Sequence, residues 1–183
     1  HGAGESITAR ASRTALARAG QSGGRVARAL GVAIPEAETG GPMRPGMKVL
    51  DIGCGSGEPI AADLIDRGFV VTGLDVSEPL IRLCRERFPA HDFHVGDMRD
   101  LALGRTFDTI VAWHSFFHLT PEAQRAMFPR LASHAASGGT LMFTSGPAAA
   151  VAIGEFEGEP LYHASLDPVE YQSLLSENGF VVL

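Results

Sequence analysis

The sequence predicts an α/β fold built on a doubly wound, mostly parallel sheet. From Lys48 onward, short runs rich in Val, Ile and Leu alternate with segments of helical pattern. This alternation is typical of right-handed βαβ units with helices on both faces of a sheet. The second observation is a cluster of three glycines directly after the first apolar run. Glycine in regular structure costs roughly 0.5–1 kcal/mol relative to alanine, so the cluster indicates a sharp turn or a close approach of backbone to a ligand.

Five strands and three helices can be placed from their ends. The first, second and fourth strands are nearly continuous apolar runs, as expected when both faces of a parallel sheet are covered. Ser77, Thr120 and Asp167 are the predicted N-caps of the helices, and Pro121 and Pro168 follow two of these caps at the first helical position. The strands are expected at 48–52, 69–74, 92–95, 109–113 and 140–144, and the helices at 78–87, 121–133 and 168–178.

The N-terminal part of the chain differs in composition from the rest. Residues 6–30 are rich in alanine and arginine and predict one or two helices outside the main core, while 31–46 has the proline and glycine content of a linker. We therefore expect a helical segment and linker over 1–40 and one ligand-binding domain over 41–183. A transit peptide is the less favoured interpretation of the arginine-rich start.

Two later segments bear on the site and on the sheet. Residues 146–166 show no clear periodicity, and structureless loops of that length are usually active-site lids or disordered segments. A strand begins at Phe180 and the sequence stops inside it, so we expect an incomplete domain.

Composition limits the classes of partner. The chain has 183 residues and a formal net charge of −6, which argues against a nucleic-acid partner because phosphates require a basic surface. No apolar run approaches the ~20 residues of a membrane-spanning helix. Cys54 and Cys84 form no metal or disulfide pattern, which favours a reducing compartment, and we expect a cytoplasmic protein.

The glycine cluster lies in the stretch DIGCGSGEP, which begins at Asp51. In a doubly wound sheet, ligands bind beyond the carboxyl ends of the strands where the strand order reverses. The dinucleotide fingerprint requires a glycine at its sixth position, but counting from Gly53 that position is Glu58, and counting from Gly55 it is Ile60. Since a carboxylate there would repel a pyrophosphate, a ligand without phosphates fits better, and an NAD(P)-dependent oxidoreductase is disfavoured.

The stretch VLDIGCGSG resembles the first motif of the class I S-adenosylmethionine-dependent methyltransferases, which have a Rossmann-like fold. The resemblance implies that S-adenosyl-L-methionine is the cofactor and that an acidic residue and alternating glycines hold its methionine end. It then continues in chain order through VTGLDVS, HVGDMRDL, FDTIVAWHSFFHLT and ASGGTLMFTS, over about 49–144. The family's first-motif positions correspond here to Asp51, Gly53, Cys54, Gly55 and Gly57.

The later motifs imply further cofactor contacts. Asp75, followed by Val76, matches the carboxylate that accepts hydrogen bonds from both ribose hydroxyls, and Asp97 with Met98 matches the adenine position. Trp113, after the fourth strand, is counted with them. The stretch LDPVEYQSLLSENGFVVL resembles the family's last helix and sixth strand, and the seventh, antiparallel strand is expected to be missing.

In this fold the carboxyl end of the fourth strand faces the transferable methyl group. The stretch AWHSFFHL is therefore the predicted acceptor wall, with His114 and His118 as candidate catalytic bases and Trp113 and Phe117 as substrate contacts. Tyr162 and His163 are expected to join them from the lid. Polar residues satisfied by backbone are the alternative for the histidines. No compact metal-ligand motif is present, so no metal is predicted, and a metal shared by the histidines is disfavoured.

The resemblance predicts transfer of a methyl group to an O or N atom of a small-molecule acceptor. Neither a membrane nor a nucleic acid is an expected partner, and a homodimer remains open. Two alternatives also remain: a non-catalytic protein that binds S-adenosylmethionine or S-adenosylhomocysteine on the same fold, and an aminopropyl transferase. The latter would need acidic residues to hold a polyamine, whereas the acceptor wall is aromatic and rich in histidine.

Overall fold

The computed structural model describes residues 30–33, 44–156 and 158–182. Within these ranges, nine strands and four α-helices are present, with two short 3-10 helices at Met98–Asp100 and Phe116–His118. The strands are β1 (Leu30–Ala33), β2 (Lys48–Ile52), β3 (Val70–Asp75), β4 (Asp92–Val95), β5 (Phe107–Ala112), β6 (Ala135–Phe143), β7 (Ala150–Phe156), β8 (Glu159–Ser165) and β9 (Val181–Val182). The helices are α1 (Ile60–Asp66), α2 (Glu78–Arg87), α3 (Pro121–His134) and α4 (Pro168–Glu177).

Seven strands form one sheet in the order β4-β3-β2-β5-β6-β1-β9. The strands β4, β3, β2, β5 and β6 are all parallel. From β2 the chain builds outward through β3 and β4 on one side and then returns to add β5 and β6 on the other. This confirms the predicted doubly wound α/β fold, with the reversal of strand order between β2 and β5. The five predicted strands are all present, each within a few residues of its expected position.

One antiparallel strand, β1, lies between β6 and β9. Leu30 is paired with Phe143, and Val32 is paired with both Leu141 and Val182. Residues 31–33, which were expected to be the start of a linker, are therefore part of the sheet. The short apolar run of β1 can form backbone hydrogen bonds to two strands. The seventh, antiparallel strand was expected to be missing from the C-terminal part of the chain. β1, from the N-terminal part, is an antiparallel strand of this sheet. The helices expected before Leu30 and most of the linker lie outside the described residues.

The three predicted helices are present with ends within one residue of those expected, α1 was not predicted, and one of the predicted caps is wrong. Thr120 accepts a hydrogen bond from the N–H of Ala123, and Asp167 accepts one from the N–H of Val169. Ser77 caps nothing, and its buried hydroxyl has no hydrogen-bond partner. Its own N–H donates instead to the carboxylate of Asp75 at 2.9 Å.

The loop predicted over 146–166 is instead mostly a β-hairpin. β7 and β8 form a two-stranded antiparallel sheet in which Val151 is paired with Ala164 and Ile153 with Tyr162. The side chains of Val151 and Ile153 are exposed on one face of it. The alternation in AVAIGEF is weak because alanine and glycine separate the larger residues, so the period of two is difficult to recognise in the sequence.

The core lies on both faces of the main sheet. One cluster contains the large rings of Phe116, Phe128, Phe143 and Tyr171 together with residues of α3 and α4. The other packs α1 and α2 against the opposite face and includes both cysteines. In the described part of the chain, no helix is long and apolar enough to cross a membrane.

Candidate active site

A pocket opens at the carboxyl edge of the sheet, where the strand order reverses. Its walls come from the ends of β2, β3 and β4, the turn after β5 and the first turn of α3. Six of the predicted site residues line it: Gly53, Asp75, Val76, Asp97, Met98 and His118. Ligands of open α/β sheets bind at this place, so the fold and the predicted residues indicate the same site.

The glycine loop after β2 has a structural as well as a ligand-related reason for its composition. Gly53, Gly55 and Gly57 have φ values of +74°, +56° and +80°, which residues with a side chain rarely adopt. A Cβ atom at Gly53 would lie 2.3 Å from the Cβ of Ser115. Ser115 also donates from Oγ to the carbonyl of Ile52 at 2.6 Å. The loop is therefore held against the turn after β5, and the glycine at its start is required for that contact.

Asp75 is a buried carboxylate aimed into the pocket from the end of β3. Its two oxygens accept hydrogen bonds from the N–H groups of Gly55 and Ser77, each at 2.9 Å. Burial raises the pKa of Asp75, and these backbone hydrogen bonds oppose that increase. An ionised carboxylate has about four acceptor positions, so about two remain for donors in the pocket. A pair of vicinal hydroxyls, as in a ribose, fits this acceptor set.

Asp51 lies at the end of β2 and is almost fully buried. Burial, and secondarily the charge of Asp75, raises the pKa of Asp51 to about 7. Its carboxyl group therefore changes charge near neutral pH. A cation bound close to Asp51 would favour the ionised form. Asp51 does not line the pocket wall.

The thiol of Cys54 lies in the core and not in the pocket. Cys54 packs with the helices on one face of the sheet, and its hydrogen bond with the thiol of Cys84, followed by burial, raises its pKa. The Cys84 thiol donates to the carbonyl of Gly55 at 3.4 Å. The two sulfur atoms therefore support the glycine loop from behind. Any cofactor contact of Cys54, Gly55 or Gly57 has to come from their backbone.

Asp97 lies two residues after the end of β4, at the start of the 3-10 helix Met98–Asp100, and is held by Arg99, a pocket residue that was not predicted from the sequence. The Nε of Arg99 lies 3.0 Å and 2.9 Å from the two carboxylate oxygens, and the N–H of Arg99 lies 2.8 Å from one of them. The Arg99 guanidinium lowers the pKa of Asp97, so its carboxylate is ionised. Met98 is partly buried against the main core. The N–H groups of Arg99 thus occupy both oxygens of Asp97, so an adenine amino group would bind Asp97 only by displacing part of the Arg99 contact, beside the apolar surface of Met98.

His114 follows β5 in a strained conformation. Its φ is +50°, and in the described ranges no other non-glycine residue has a positive φ. Its N–H donates to Oγ1 of Thr144 at 2.8 Å. The ring lies between those of Trp113 and Phe117, with centroid distances of 5.2 Å and 5.8 Å. Burial lowers the pKa of His114. Strain of this kind is concentrated at functional sites, although it does not identify a role by itself.

His118 lines the pocket and has a defined tautomer. Its Nδ1 lies 3.0 Å from the carbonyl oxygen of Tyr162. Because a carbonyl oxygen can only accept, Nδ1 must carry the hydrogen, and in the neutral ring Nε2 has a free lone pair. Burial is the largest influence on the pKa of His118 and lowers it, which favours the neutral ring at pH 7. His118 can therefore accept a proton at Nε2.

The remaining predicted acceptor residues lie beside the pocket and do not line it. The ring of His163 is 5.2 Å from that of Phe117 and 5.0 Å from that of His118, so these rings form one cluster with Trp113 and His114. Successive residues of β8 face opposite sides, which places the Tyr162 side chain away from His163, on the face of Ile153. Tyr162 thus meets the site through its carbonyl group. Within the described ranges, no three His, Cys, Asp or Glu side chains come together as a metal-ligand set.

Several other pocket residues were not predicted from the sequence. Leu119, Thr120 and Ala123 bring the start of α3 to the pocket, and Ser115 enters through the close approach to Gly53. Ser115 and Leu119 lie inside the FDTIVAWHSFFHLT segment that the sequence analysis had already singled out. Ser115 could have been found there as a small polar residue close to the end of β5. No local pattern marks the contribution of α3.

Comparison with known protein families supports this geometry. Residues 49–139 match the family model described as "Methyltransferase domain", a range that begins in β2 and ends in β6 and so includes the glycine loop and the ends of β3, β4 and β5. The chain contains a methyltransferase domain. The strand order and the solved structures of similar fold agree with the class I arrangement of such domains.

Two of the curated relatives are named for small-molecule acceptors. A magnesium-protoporphyrin O-methyltransferase of Rhodobacter capsulatus is 39% identical over 88 residues, which are 45% of this chain and 38% of the relative. A dTDP-3-amino-3,6-dideoxy-alpha-D-glucopyranose N,N-dimethyltransferase of Streptomyces fradiae is 34% identical over 96 residues, which are 51% of this chain and 37% of the relative. The chain therefore spans well under half of the length of these two relatives.

Two solved methyltransferase structures have a fold similar to that of this chain. The SAM-bound structure of CalS10, an amino pentose methyltransferase from Micromonospora echinaspora, has a TM-score of 0.58 at 21% identity, with 73% of this chain and 75% of that chain covered. The SAM-bound magnesium protoporphyrin IX methyltransferase from Synechocystis has a TM-score of 0.56 at 23% identity, with 75% and 61% covered. At this identity the likeness describes the architecture alone.

Proposed function

We propose that this chain is an S-adenosylmethionine-dependent methyltransferase that transfers a methyl group to an O or N atom of a small-molecule acceptor. The observation that carries the proposal is Asp75, a buried carboxylate with free acceptor positions at the point where the strand order reverses. Its neighbours in the pocket supply the remaining chemistry of an adenosine site: the acceptor Asp97, the apolar Met98 and a glycine turn. The relatives, which methylate O and N atoms, support both acceptor classes.

When bound, S-adenosylmethionine supplies a methyl group on a positively charged sulfur. The task of this chain is to orient the acceptor beside it, and correct positioning can account for ~7–11 kcal/mol of barrier lowering. Asp75 would bind the ribose, Asp97 the adenine amino group and Asp51 the charge at the methionine end. We propose the same end for the backbone of the glycine loop.

His118 is the proposed general base. Its Nε2 is free to take a proton from an acceptor hydroxyl or amine, because Nδ1 is occupied by the carbonyl of Tyr162. His118 also lines the pocket, whereas His114 does not. We therefore propose that His114, Trp113, Phe117 and His163 form the surface against which the acceptor is held. Tyr162 contributes its backbone, with the side chain on the outer face of the hairpin.

Three further features of the proposal concern partners and location. We propose a small-molecule acceptor and neither a nucleic-acid nor a membrane partner, which the net charge of −6 supports. The two unpaired cysteines support a reducing compartment such as the cytoplasm. We propose a domain boundary near residue 40, with β1 added to the ligand-binding domain, and a homodimer as the assembly to test.

The test is calorimetric binding of S-adenosylhomocysteine, with NADH as comparator. We expect binding that is lost in Asp75→Ala and retained in Asp63→Ala, which removes an exposed carboxylate of α1 that is paired within the described ranges only with Arg67. Turnover is then measured with an amino-sugar nucleotide and a porphyrin carboxylic acid as acceptors. Failure of the wild type to bind S-adenosylhomocysteine would sink the proposal. Binding without methyl transfer to a broad acceptor panel would favour the non-catalytic alternative.

A further inference from the structure

A fully buried amide lies beside the site and takes no part in the chemistry described above. Gln124, on α3, has no exposed surface. Its Nε2 donates to the carbonyls of Leu119 and Ala164, each at 2.9 Å, and its Oε1 accepts from the hydroxyl of Tyr171 at 2.5 Å. Both of its N–H donors and one acceptor position are therefore used. A buried amide that lost these partners would be costly, so its orientation is strongly determined.

The two carbonyls that Gln124 holds flank the two partners of one hydrogen bond. Leu119 directly follows His118, and Ala164 lies two residues after Tyr162, whose carbonyl accepts from Nδ1 of His118. One side chain thus fixes the spacing between the 3-10 turn that carries the histidine and the strand that carries its acceptor. Gln124 thus adds a second link between these two backbone segments, beside the hydrogen bond of His118 to Tyr162.

Tyr171, on α4, determines which way the amide faces. Its hydroxyl accepts from the N–H of Leu166 at 3.1 Å, so its own hydrogen is directed to Oε1 of Gln124. With Oε1 engaged, the NH₂ group of Gln124 must point at the two carbonyls. The network therefore runs from α4 through α3 to the hairpin and the histidine turn, and every buried polar atom in it has a partner.

We infer that Gln124, oriented by Tyr171, is a positioning residue that selects the tautomer of His118. Which ring nitrogen of a histidine carries the proton is set by the hydrogen bond that the other nitrogen makes. By holding Tyr162 and His118 at bonding distance, the network keeps the proton on Nδ1 and leaves Nε2 unprotonated toward the pocket. The inference rests on the proposed function in that His118 is the base.

The experiment is nitrogen NMR of the imidazole rings in ¹⁵N-histidine-labelled protein, with His118 assigned from His118→Asn. Neutral wild-type protein should have the proton on Nδ1 of His118. In Gln124→Leu, which removes both donors, the population with the proton on Nε2, the form free histidine prefers, should increase about 2- to 10-fold, the equivalent of one lost hydrogen bond. Tyr171→Phe should produce a smaller shift in the same direction.

The matched control is His134→Leu at the other end of α3. His134 is also a buried side chain that bonds backbone: Nε2 accepts from the N–H of Leu103 at 2.9 Å, and Nδ1 lies 2.7 Å from the carbonyl of Arg130. Its loss should lower the melting temperature without changing the tautomer of His118. Gln124→Met, which loses the two donors and keeps nearly the same side-chain length, replaces Gln124→Leu if the leucine variant does not fold.

The outcomes separate the inference from the proposed function. A wild-type tautomer ratio in folded Gln124 variants would overturn the inference, as would an equal shift in His134→Leu, which would indicate general loosening. A shift confined to the Gln124 and Tyr171 variants, with S-adenosylhomocysteine affinity within about twofold of wild type, supports it. Absence of S-adenosylhomocysteine binding in the wild type contradicts the proposed function and leaves the tautomer measurement interpretable.

Discussion

The two sides of the pocket are held in place by different kinds of contact. On the side proposed to bind the cofactor, Asp75 is fixed by backbone N–H groups from the glycine loop and from the start of the next helix. On the acceptor side, His118 is held by a carbonyl from β8 and, through Leu119, by an amide of α3 that also holds β8. The contacts of Asp75 come mostly from strand ends and turns. The contacts of His118 join the hairpin to the turn after β5.

This difference has a consequence for how each side responds to change. The cofactor side depends on backbone conformation, so it should fail where a side chain forces a glycine turn to move. The acceptor side depends on a few side-chain hydrogen bonds. Removal of each single partner should therefore displace its residues further, one step at a time. Four measurements test the comparison, from the largest expected effect to the smallest.

Gly53→Ala should be the most damaging small substitution in the cofactor loop. The new Cβ would lie 2.3 Å from that of Ser115, at a φ of +74°, so both crowding and backbone strain act. We expect the free energy of unfolding in urea to fall by about 3 kcal/mol or more. Gly104→Ala is the control, since Gly104 has a φ of +65° and a Cβ added there would meet no atom within 4 Å. It should cost only about 1 kcal/mol, and equal losses would contradict the importance of the Ser115 contact.

Ser165→Ala tests the base of the hairpin. The Ser165 hydroxyl accepts from the N–H of Gly146 at 2.6 Å and is mostly buried. Its removal leaves that N–H without its partner, and we expect a loss of about 1–2 kcal/mol in the free energy of unfolding. In this variant, amide hydrogen exchange should become faster in β8, with a smaller change in β2. An unchanged exchange rate in β8 would argue that the hairpin is held elsewhere.

Asp51 should make cofactor-side binding depend on pH. Its raised pKa of about 7 means that the carboxyl is neutral below that pH and ionised above it. If the ammonium group of S-adenosylhomocysteine binds near it, affinity should increase as pH rises from 6 to 8, by about tenfold. Asp51→Asn should bind with a flat pH profile. A tenfold change that persists in the asparagine variant would assign the effect to another group.

The exposed face of the hairpin should give the smallest effect. Ile153 is 65% exposed, on the face that also carries Val151. Ile153→Ser is expected to change the free energy of unfolding by less than about 0.5 kcal/mol. S-adenosylhomocysteine affinity should stay at the wild-type value. A large loss in dilute protein that recovers with protein concentration would show that this face is covered by a second copy.

More of the residues predicted for the cofactor than of those predicted for the acceptor line the pocket, for a physical reason. Strand ends, glycine turns and the carboxylates after them are local in sequence, so Asp75 and Asp97 could be placed from short patterns alone. The contacts of His118 come from residues about 40 positions away, and Gln124 carries no local mark of its position in a buried network. The hairpin was missed because its alternating pattern is weak. β1 was missed because four residues in a proline- and glycine-rich region carry too little pattern.

The position of β1 has a consequence for the order in which the chain folds. β1 is synthesised first, yet its two neighbours in the sheet, β6 and β9, are the last strands of that sheet to emerge. Leu30 must wait for a partner roughly 110 residues away, and contacts of such high sequence separation form slowly because the intervening loop has to be closed. During synthesis β1 therefore has no partner in the sheet until β6 has emerged, after β2 to β5. In refolding, the protection of amides in Val32 and Leu141 should be among the last to appear.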